Sequence, residues 1–140
     1  MENYDKPLFH LNQPQLLYLD LDKITLYGFE TEKSDLVIDS IIRGIEAGDE
    51  FPPVPVLEID GDYFLHPYLR ICQAGWMPLD GGHNRAVGHY IAGKPLKCMV
   101  TKGVIKPSDR IPISEIVLKD DDGKYKSEYQ SRKRICPKYR

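Results

Sequence analysis

The chain has 140 residues, of which 41% are hydrophobic and 29% charged, and its formal net charge is −2. These values indicate one globular domain that buries about two thirds of its surface, with no overall attraction to nucleic acid and no apolar run near the roughly 20 residues of a membrane span. The polar start Met1–Asp5 is not typical of a signal peptide, and the cysteines, odd in number and widely spaced, fit neither a disulfide framework nor a zinc site, so we expect a cytoplasmic protein without a membrane partner.

The first elements predicted are a strand, a loop and the start of a helix. Residues 1–16 are expected to lie over the surface as an N-terminal extension, and Leu16–Leu19 is a short strand candidate. The segment Tyr27–Glu32 is predicted as a loop, after which Ser34 or Thr31 caps a helix.

That helix is the strongest periodic pattern in the chain. Its apolar face runs up to Gly48 and comprises Val37, Ile41 and Ile45 at spacing four, with Ile38 and Ile42 beside them. Gly44 inside the helix lowers its stability by roughly 1 kcal/mol relative to alanine, unless another group packs closely against it.

A hairpin is predicted next. Three prolines in Phe51–Val56 exclude a helix, because each fixes φ and removes an N–H donor. We therefore predict a strand over Val54–Ile59, with Pro55 indicating an edge position or an irregular start. Asp60-Gly61 is a strong turn signal, and Asp62–Leu65 is predicted as the returning strand.

The stretch around which the chain is organised is Asp80–Ala86, where two glycines precede a helical pattern. Gly93 marks the predicted end of that helix, and Leu96–Val100 is a strand candidate. The apolar stripe of the helix consists of Ala86, Val87, Tyr90 and Ile91.

A helix entrance of this composition is suited to binding an anion. Its first N–H groups have no helical partners, the helix dipole makes that end partly positive, and glycines let an oxyanion approach the backbone. Arg85 adds a fork of donors for phosphate or carboxylate, and Asp80 either caps the helix or turns outward to hold a metal ion or accept a proton. His83 is the titratable group of the turn. The alternatives are a plain tight turn, an Arg85–Asp80 ion pair, and a His83 that forms surface hydrogen bonds.

The run Gly82-His83-Asn84-Arg85-Ala86, followed by Gly93, resembles the ParB/sulfiredoxin superfamily, in which these positions read roughly "DGHHR", "GERR" or "GCHR" at the start of a helix. The resemblance covers roughly residues 17–101 and implies a small α/β (α+β) domain with a mixed sheet and helices. The upstream positions that match are Leu36, Ile45, Gly48, Pro53, Val54 and Val56.

Two segments depart from the superfamily pattern. Residues 66–76 are an apolar insertion that is expected to form a wall of the site. Residues 102–140 form a C-terminal extension, in which a strand at Ile111–Leu118, a turn at 120–123 and a strand at Tyr125–Ser131 predict a β-hairpin. The tail that follows is either solvated or contacts a phosphate backbone through Arg132, Lys133, Arg134, Lys138 and Arg140.

The free-serine-kinase branch of the superfamily gives the first functional hypothesis, a phosphotransferase that acts on a small hydroxyl substrate. By this resemblance Glu30 is the general base, Asp80 holds Mg²⁺, and His83 neutralises developing charge. The nucleotide is ATP or ADP, with CTP as an alternative, and its phosphates contact Gly81, Gly82, His83, Asn84 and Arg85.

Two further hypotheses belong to other classes. The ParB branch implies a DNA-binding partner with a nucleotide as switch, although Asn84 replaces one arginine of "GERR" and no helix-turn-helix follows the motif. A ParB-like nuclease ranks last, because no carboxylates of the two-metal type cluster near the motif. A sulfinic-acid reductase is not expected, since His83 stands where the sulfiredoxin branch has its reactive cysteine. His89 lies six residues after His83 and is expected to be a surface or supporting group.

Overall fold

The computed structural model describes residues 14–66 and 82–119, which form an α+β fold, as predicted. The helices are α1 (Asp35–Glu46), α2 (His83–Ala92) and a short 3-10 helix (Ile113–Glu115). The strands are β1 (Gln15–Leu19), β2 (Leu26–Gly28), β3 (Glu32–Ser34), β4 (Val54–Ile59), β5 (Asp62–Leu65), β6 (Leu96–Lys102), β7 (Ile111–Pro112) and β8 (Val117–Lys119).

Six strands form a mixed sheet in the order β1-β6-β4-β5-β2-β7, and β3 pairs in parallel with β8 in a separate two-stranded sheet. The central strand β4 is parallel to β6 and antiparallel to β5. A parallel pair needs a crossover connection, and the chain between β4 and β6 includes α2. The start of α2 lies beside the start of β4, because Gly82 packs against Val54.

The β4–β5 hairpin confirms the prediction from Asp60-Gly61. Both residues have positive φ, 52° for Asp60 and 86° for Gly61, as a two-residue turn of type I′ requires. The register pairs Ile59 with Asp62 and Val56 with Leu65.

Of the two alternatives expected for Pro55, the sheet edge is wrong, because β4 lies between β5 and β6; Pro55 lies near the start of the strand, as its second residue. The carbonyl of Pro55 accepts a hydrogen bond from His66 N at 3.2 Å, just beyond the last paired residues of the hairpin. The N–H and C=O groups of one strand residue point to the same side, so the missing donor of Pro55 faces the point where β5 ends. A central strand therefore tolerates this proline without losing a bond to β6.

Helix α1 begins where it was predicted, since Ser34 is its N-cap and Ser34 Oγ accepts from Val37 N at 3.3 Å. Its buried face centres on Ile38 and Ile42, whereas Val37 is 41% exposed. A Cβ at Gly44 would lie 2.9 Å from Cζ of Phe51, which is the close packing that justifies a glycine at this position.

The structure differs from the prediction in two segments, one expected to be a loop and the other expected to be a single strand. Tyr27–Glu32, expected to be a loop, contains the end of β2 and the start of β3. The single strand expected over Ile111–Leu118 is interrupted by the 3-10 helix. Such short strands are held by distant partners and have little local signal.

Residues 111–119 contribute to the same core as the described residues between 17 and 101. β7 pairs with β2, β8 pairs with β3, and Ile113, Ile116 and Leu118 are buried with the core residues of α1 and β4. The predicted turn at 120–123, the strand at Tyr125–Ser131 and the basic tail lie outside the described residues, as does the insertion 66–76 apart from the buried His66.

Candidate functional site

Helix α2 begins at the predicted position, directly after Gly82. This residue has φ 97°, and a Cβ here would lie 2.5 Å from Cγ1 of Val54 at the start of β4. Both the conformation and the space therefore require glycine. The first helical hydrogen bond runs from Ala86 N to Gly82 O at 2.9 Å, and the helix ends at Gly93 with φ 72°. Asp80 and Gly81 lie outside the described residues.

His83 is the first residue of α2, and its side chain is completely buried. Nε2 of the ring accepts hydrogen bonds from the backbone N–H groups of Phe29 at 2.9 Å and Glu30 at 3.2 Å. Since a backbone N–H can only donate, Nε2 carries no proton and the neutral ring is protonated on Nδ1. The Phe29 ring packs edge-on against the imidazole, with the ring centroids 4.5 Å apart.

The same contact explains a glycine at the end of β2. A Cβ at Gly28 would lie 2.5 Å from His83 Nε2, so the imidazole rests on the backbone of this residue. His83 thus joins the end of β2 to the start of α2 across 53 to 54 residues of sequence. Sequence reasoning missed this role, because the pairing of a buried imidazole with a distant backbone has no local pattern.

Glu30, the predicted general base, is brought next to the first turn of α2 by its backbone contact with His83. Its carboxylate forms an ion pair with Lys33, with Nζ and Oε1 2.6 Å apart. The side chains are 15% exposed for Lys33 and 28% for Glu30, so the pair is partly shielded from water. Lys33 was not predicted, although its spacing of three residues from Glu30 was a usable signal.

Arg85 binds the backbone at the entrance to β4. Its Nη1 donates to the carbonyl oxygens of Pro52 at 2.8 Å and Pro53 at 3.3 Å. From the sequence we expected Arg85 to contact phosphate or to form an ion pair with Asp80. The hydrogen bonds to the two proline carbonyls were not predicted. The bonds fix the guanidinium beside the first turn of α2.

His89 is a supporting group one turn further along α2. Its Nδ1 donates to the carbonyl oxygen of Arg85 at 2.6 Å, and its ring packs edge-on against Phe51 at 5.8 Å. Burial lowers the pKa of His89; the hydrogen bond to Arg85 opposes this shift, and the nearby guanidinium charge adds to it. Expected at the surface or in support, His89 is half-buried.

The two helix entrances differ in charge. The first turn of α1 contains Asp35 and is capped by Ser34, so its own side chains complement the dipole. The first turn of α2 contains no acidic residue, and Gly82 offers no side chain as a cap. Arg85 adds a cation to this turn, so its own side chains add no negative charge to the positive end of the helix dipole.

Other features lie away from this turn or are unsuited to chemistry. No group of three or more His, Cys, Asp or Glu within 14–66 and 82–119 is placed to hold a metal ion. A groove of about 330 Å³ at the other end of α2 is lined by residues such as Tyr18, His89 and Lys94, and not by Gly82 or Arg85. The thiol of Cys98 is buried, and burial raises its pKa to about 12.

Comparisons of the chain with protein-family models, curated proteins and solved structures found no match. Among the helices in the described part of the chain, none is long and apolar enough to cross a membrane.

Proposed function

We propose that the first turn of α2 binds the phosphates of a nucleotide and that the protein transfers a phosphoryl group to a small hydroxyl substrate. The observation that carries this proposal is the His83 contact, which brings the Glu30–Lys33 pair to a helix entrance with no acidic residue of its own. A carboxylate next to a positive helix end is an arrangement suited to deprotonating an acceptor beside a bound polyphosphate.

In the proposed reaction Glu30 accepts the proton of the acceptor hydroxyl. The acceptor oxygen forms a bond to the terminal phosphorus, and the bond from that phosphorus to the bridging oxygen breaks, which leaves the nucleotide one phosphate shorter. The backbone N–H groups of the first turn and the Arg85 cation stabilise the charge on the phosphoryl oxygens. Lys33 orients the Glu30 carboxylate through the ion pair and releases it when the hydroxyl approaches.

The roles of ATP or ADP, and of CTP as the alternative, follow from the ParB/sulfiredoxin resemblance. Mg²⁺ would neutralise part of the polyphosphate charge, with Asp80 as the expected protein ligand. The DNA-switch hypothesis depends on the basic residues of 132–140, and no contact within the described residues favours it.

Calorimetry with ATP, ADP and CTP in the presence of Mg²⁺ tests the binding step. We expect Arg85→Ala to weaken binding at least 10-fold, roughly the 1.5–3 kcal/mol of a charge-assisted hydrogen bond. The matched control is Arg110→Ala, which removes an equal charge from an exposed loop position and should leave affinity nearly unchanged. If none of the three nucleotides binds the wild-type protein, the proposed function is wrong.

Turnover is tested by ³¹P NMR of ATP with free L-serine, the acceptor implied by the resemblance to the free-serine-kinase branch. Glu30→Gln should abolish formation of the phosphorylated product while nucleotide binding is retained. Its control is Glu32→Gln, since Glu32 is a half-exposed carboxylate paired with Lys119 at 3.1 Å and needs no part in the reaction. Equal loss of binding and turnover in Glu30→Gln would show that Glu30 is structural.

A further inference from the structure

We infer that His83 is a positioning residue whose neutral ring works as an acid-sensitive latch. The His83 latch consists of His83 Nε2 and the backbone N–H groups of Phe29 and Glu30. When Nε2 is free of a proton, the latch holds Glu30 against the first turn of α2. When Nε2 is protonated, the two acceptor bonds are lost and the loop separates from the helix.

The closed latch requires that Nε2 carry no proton. Nε2 has one lone pair, and the two backbone donors at 2.9 and 3.2 Å converge on it. A proton on this nitrogen would face both N–H groups at less than van der Waals separation, while the Gly28 backbone and the Phe29 ring pack against the imidazole. The charged ring would also be completely buried, and burial disfavours the charged form of a group.

Charged and titratable groups lie around the latch on the neighbouring elements. They are the carboxylates of Glu30, Asp35, Asp39 and Glu115, the cations of Lys33 and Arg85, and the imidazoles of His66 and His89. The test must separate His83 above all from the other two imidazoles in the described part of the chain, because histidine is the side chain that ordinarily changes charge nearest neutral pH.

The effect of the latch on ligand binding rests on the proposed function. It reverses the pH dependence of binding that is expected for a histidine in direct contact with phosphate. If His83 contacted phosphate directly, acid would strengthen binding, because the ring would gain a positive charge. If His83 is the latch, acid weakens binding, by up to about 10-fold per pH unit for a single linked proton. The two roles predict opposite pH dependences.

The latch itself is tested without a ligand, by NMR of the full chain. Long-range ¹H–¹⁵N spectra at pH 7.5 should show His83 as the Nδ1–H tautomer, and the Phe29 and Glu30 amide signals should shift together as His83 titrates. An Nε2–H tautomer would overturn the latch, as would amide signals that do not follow the titration. So would loss of the core amides in the same step, since that would mean global unfolding rather than release of the loop.

Nucleotide titrations at pH 7.5 and at a pH below the His83 midpoint found by NMR then test its effect on the proposed site. His83→Ala should lose binding, and His83→Gln should restore part of it, because the glutamine Oε1 can accept in place of Nε2 but does not titrate. Protonation of the nucleotide affects the wild type and His83→Gln equally, so it drops out when the wild-type affinity is divided by the His83→Gln affinity at the same pH. This affinity ratio should be smaller at the lower pH. His89→Gln, the matched control, should keep the wild-type acid dependence.

These outcomes separate the two proposals. Absence of nucleotide binding at every pH contradicts the proposed function, while the NMR titration still decides whether the latch exists. Binding that strengthens in acid, or an equal acid effect in His83→Gln, overturns the latch and leaves the nucleotide site standing.

Discussion

The contact between Gly82 and Val54 fixes where α2 begins relative to the central strand, and it can be tested by adding one methyl group. In Gly82→Ala the new Cβ would lie 2.5 Å from Val54 Cγ1, on a backbone with φ 97°. Alanine in a left-handed conformation costs about 1–2 kcal/mol, and overpacking a core contact costs about 1–3 kcal/mol more. We therefore expect Gly82→Ala to lower the free energy of unfolding by about 2–5 kcal/mol.

A matched glycine separates the two contributions. Gly48 has φ 90° and no atom within 4 Å of an added Cβ, so Gly48→Ala adds the conformational strain without the contact. It should lose only about 1–2 kcal/mol. The difference between the two variants then measures the clash with Val54.

A double-mutant cycle with Val54→Ala tests the contact directly. Val54 is fully buried, so Val54→Ala alone should cost about 2–3 kcal/mol through lost burial and a small cavity. In the double variant the methyl group added by Gly82→Ala occupies the vacated space, and the loss should fall short of the sum by about 1–3 kcal/mol. Urea denaturation gives each free energy, with the m-value as a check that unfolding stays cooperative. Losses that add within about 0.5 kcal/mol would refute the reasoning.

Two further predictions concern titratable groups. Cys98 should not react with thiol reagents at pH 7.5 in the native protein, because it is buried and its pKa is raised to about 12; peptide mapping that finds it labelled before unfolding would contradict this. His89 has a lowered pKa in the folded state, so the unfolded chain binds more protons and stability should fall as pH drops below about 6.5. Urea denaturation at pH 7.5 and 5.5 should show a smaller acid loss for His89→Gln than for wild type, and an equal loss would exclude His89 as the cause.

The elements predicted correctly are those whose signals are local. Ser34 caps α1 by accepting a hydrogen bond from the backbone N–H three residues later. The Asp60-Gly61 turn needs only the φ preferences of two residues, and Gly93 ends α2 in the left-handed conformation. Each of these depends on neighbours in sequence, so a single chain contains the information.

The elements missed are those that depend on distant partners. β2 and β3 have three residues each and exist because they pair with strands far away in sequence. Pro55 indicated an edge by its own chemistry, and only the position at which β5 ends makes it acceptable in a central strand. Local propensity cannot supply such information.

The candidate site divides in the same way. The helix entrance and its glycine were predicted from local signals, and the resemblance supplied Glu30. The contacts that connect them were not predicted, because a buried imidazole accepting from Phe29 and Glu30, and a guanidinium donating to two proline carbonyls, depend on the folded chain. These contacts change the role of His83 from the expected phosphate ligand to the positioning role that we propose.

The same contacts bear on the specificity of the proposed site. His83 and Arg85 each use a side-chain nitrogen to bind backbone outside α2, so the first turn of α2 is held between the end of β2 and the entrance to β4. A turn fixed in this way needs little reorganisation to bind the proposed phosphate, which favours affinity. Backbone N–H groups and a guanidinium recognise phosphate alike in every nucleotide. The preference for one base must therefore come from residues other than Gly82–Arg85. A nucleotide panel measures this base preference, which the first turn of α2 alone does not determine.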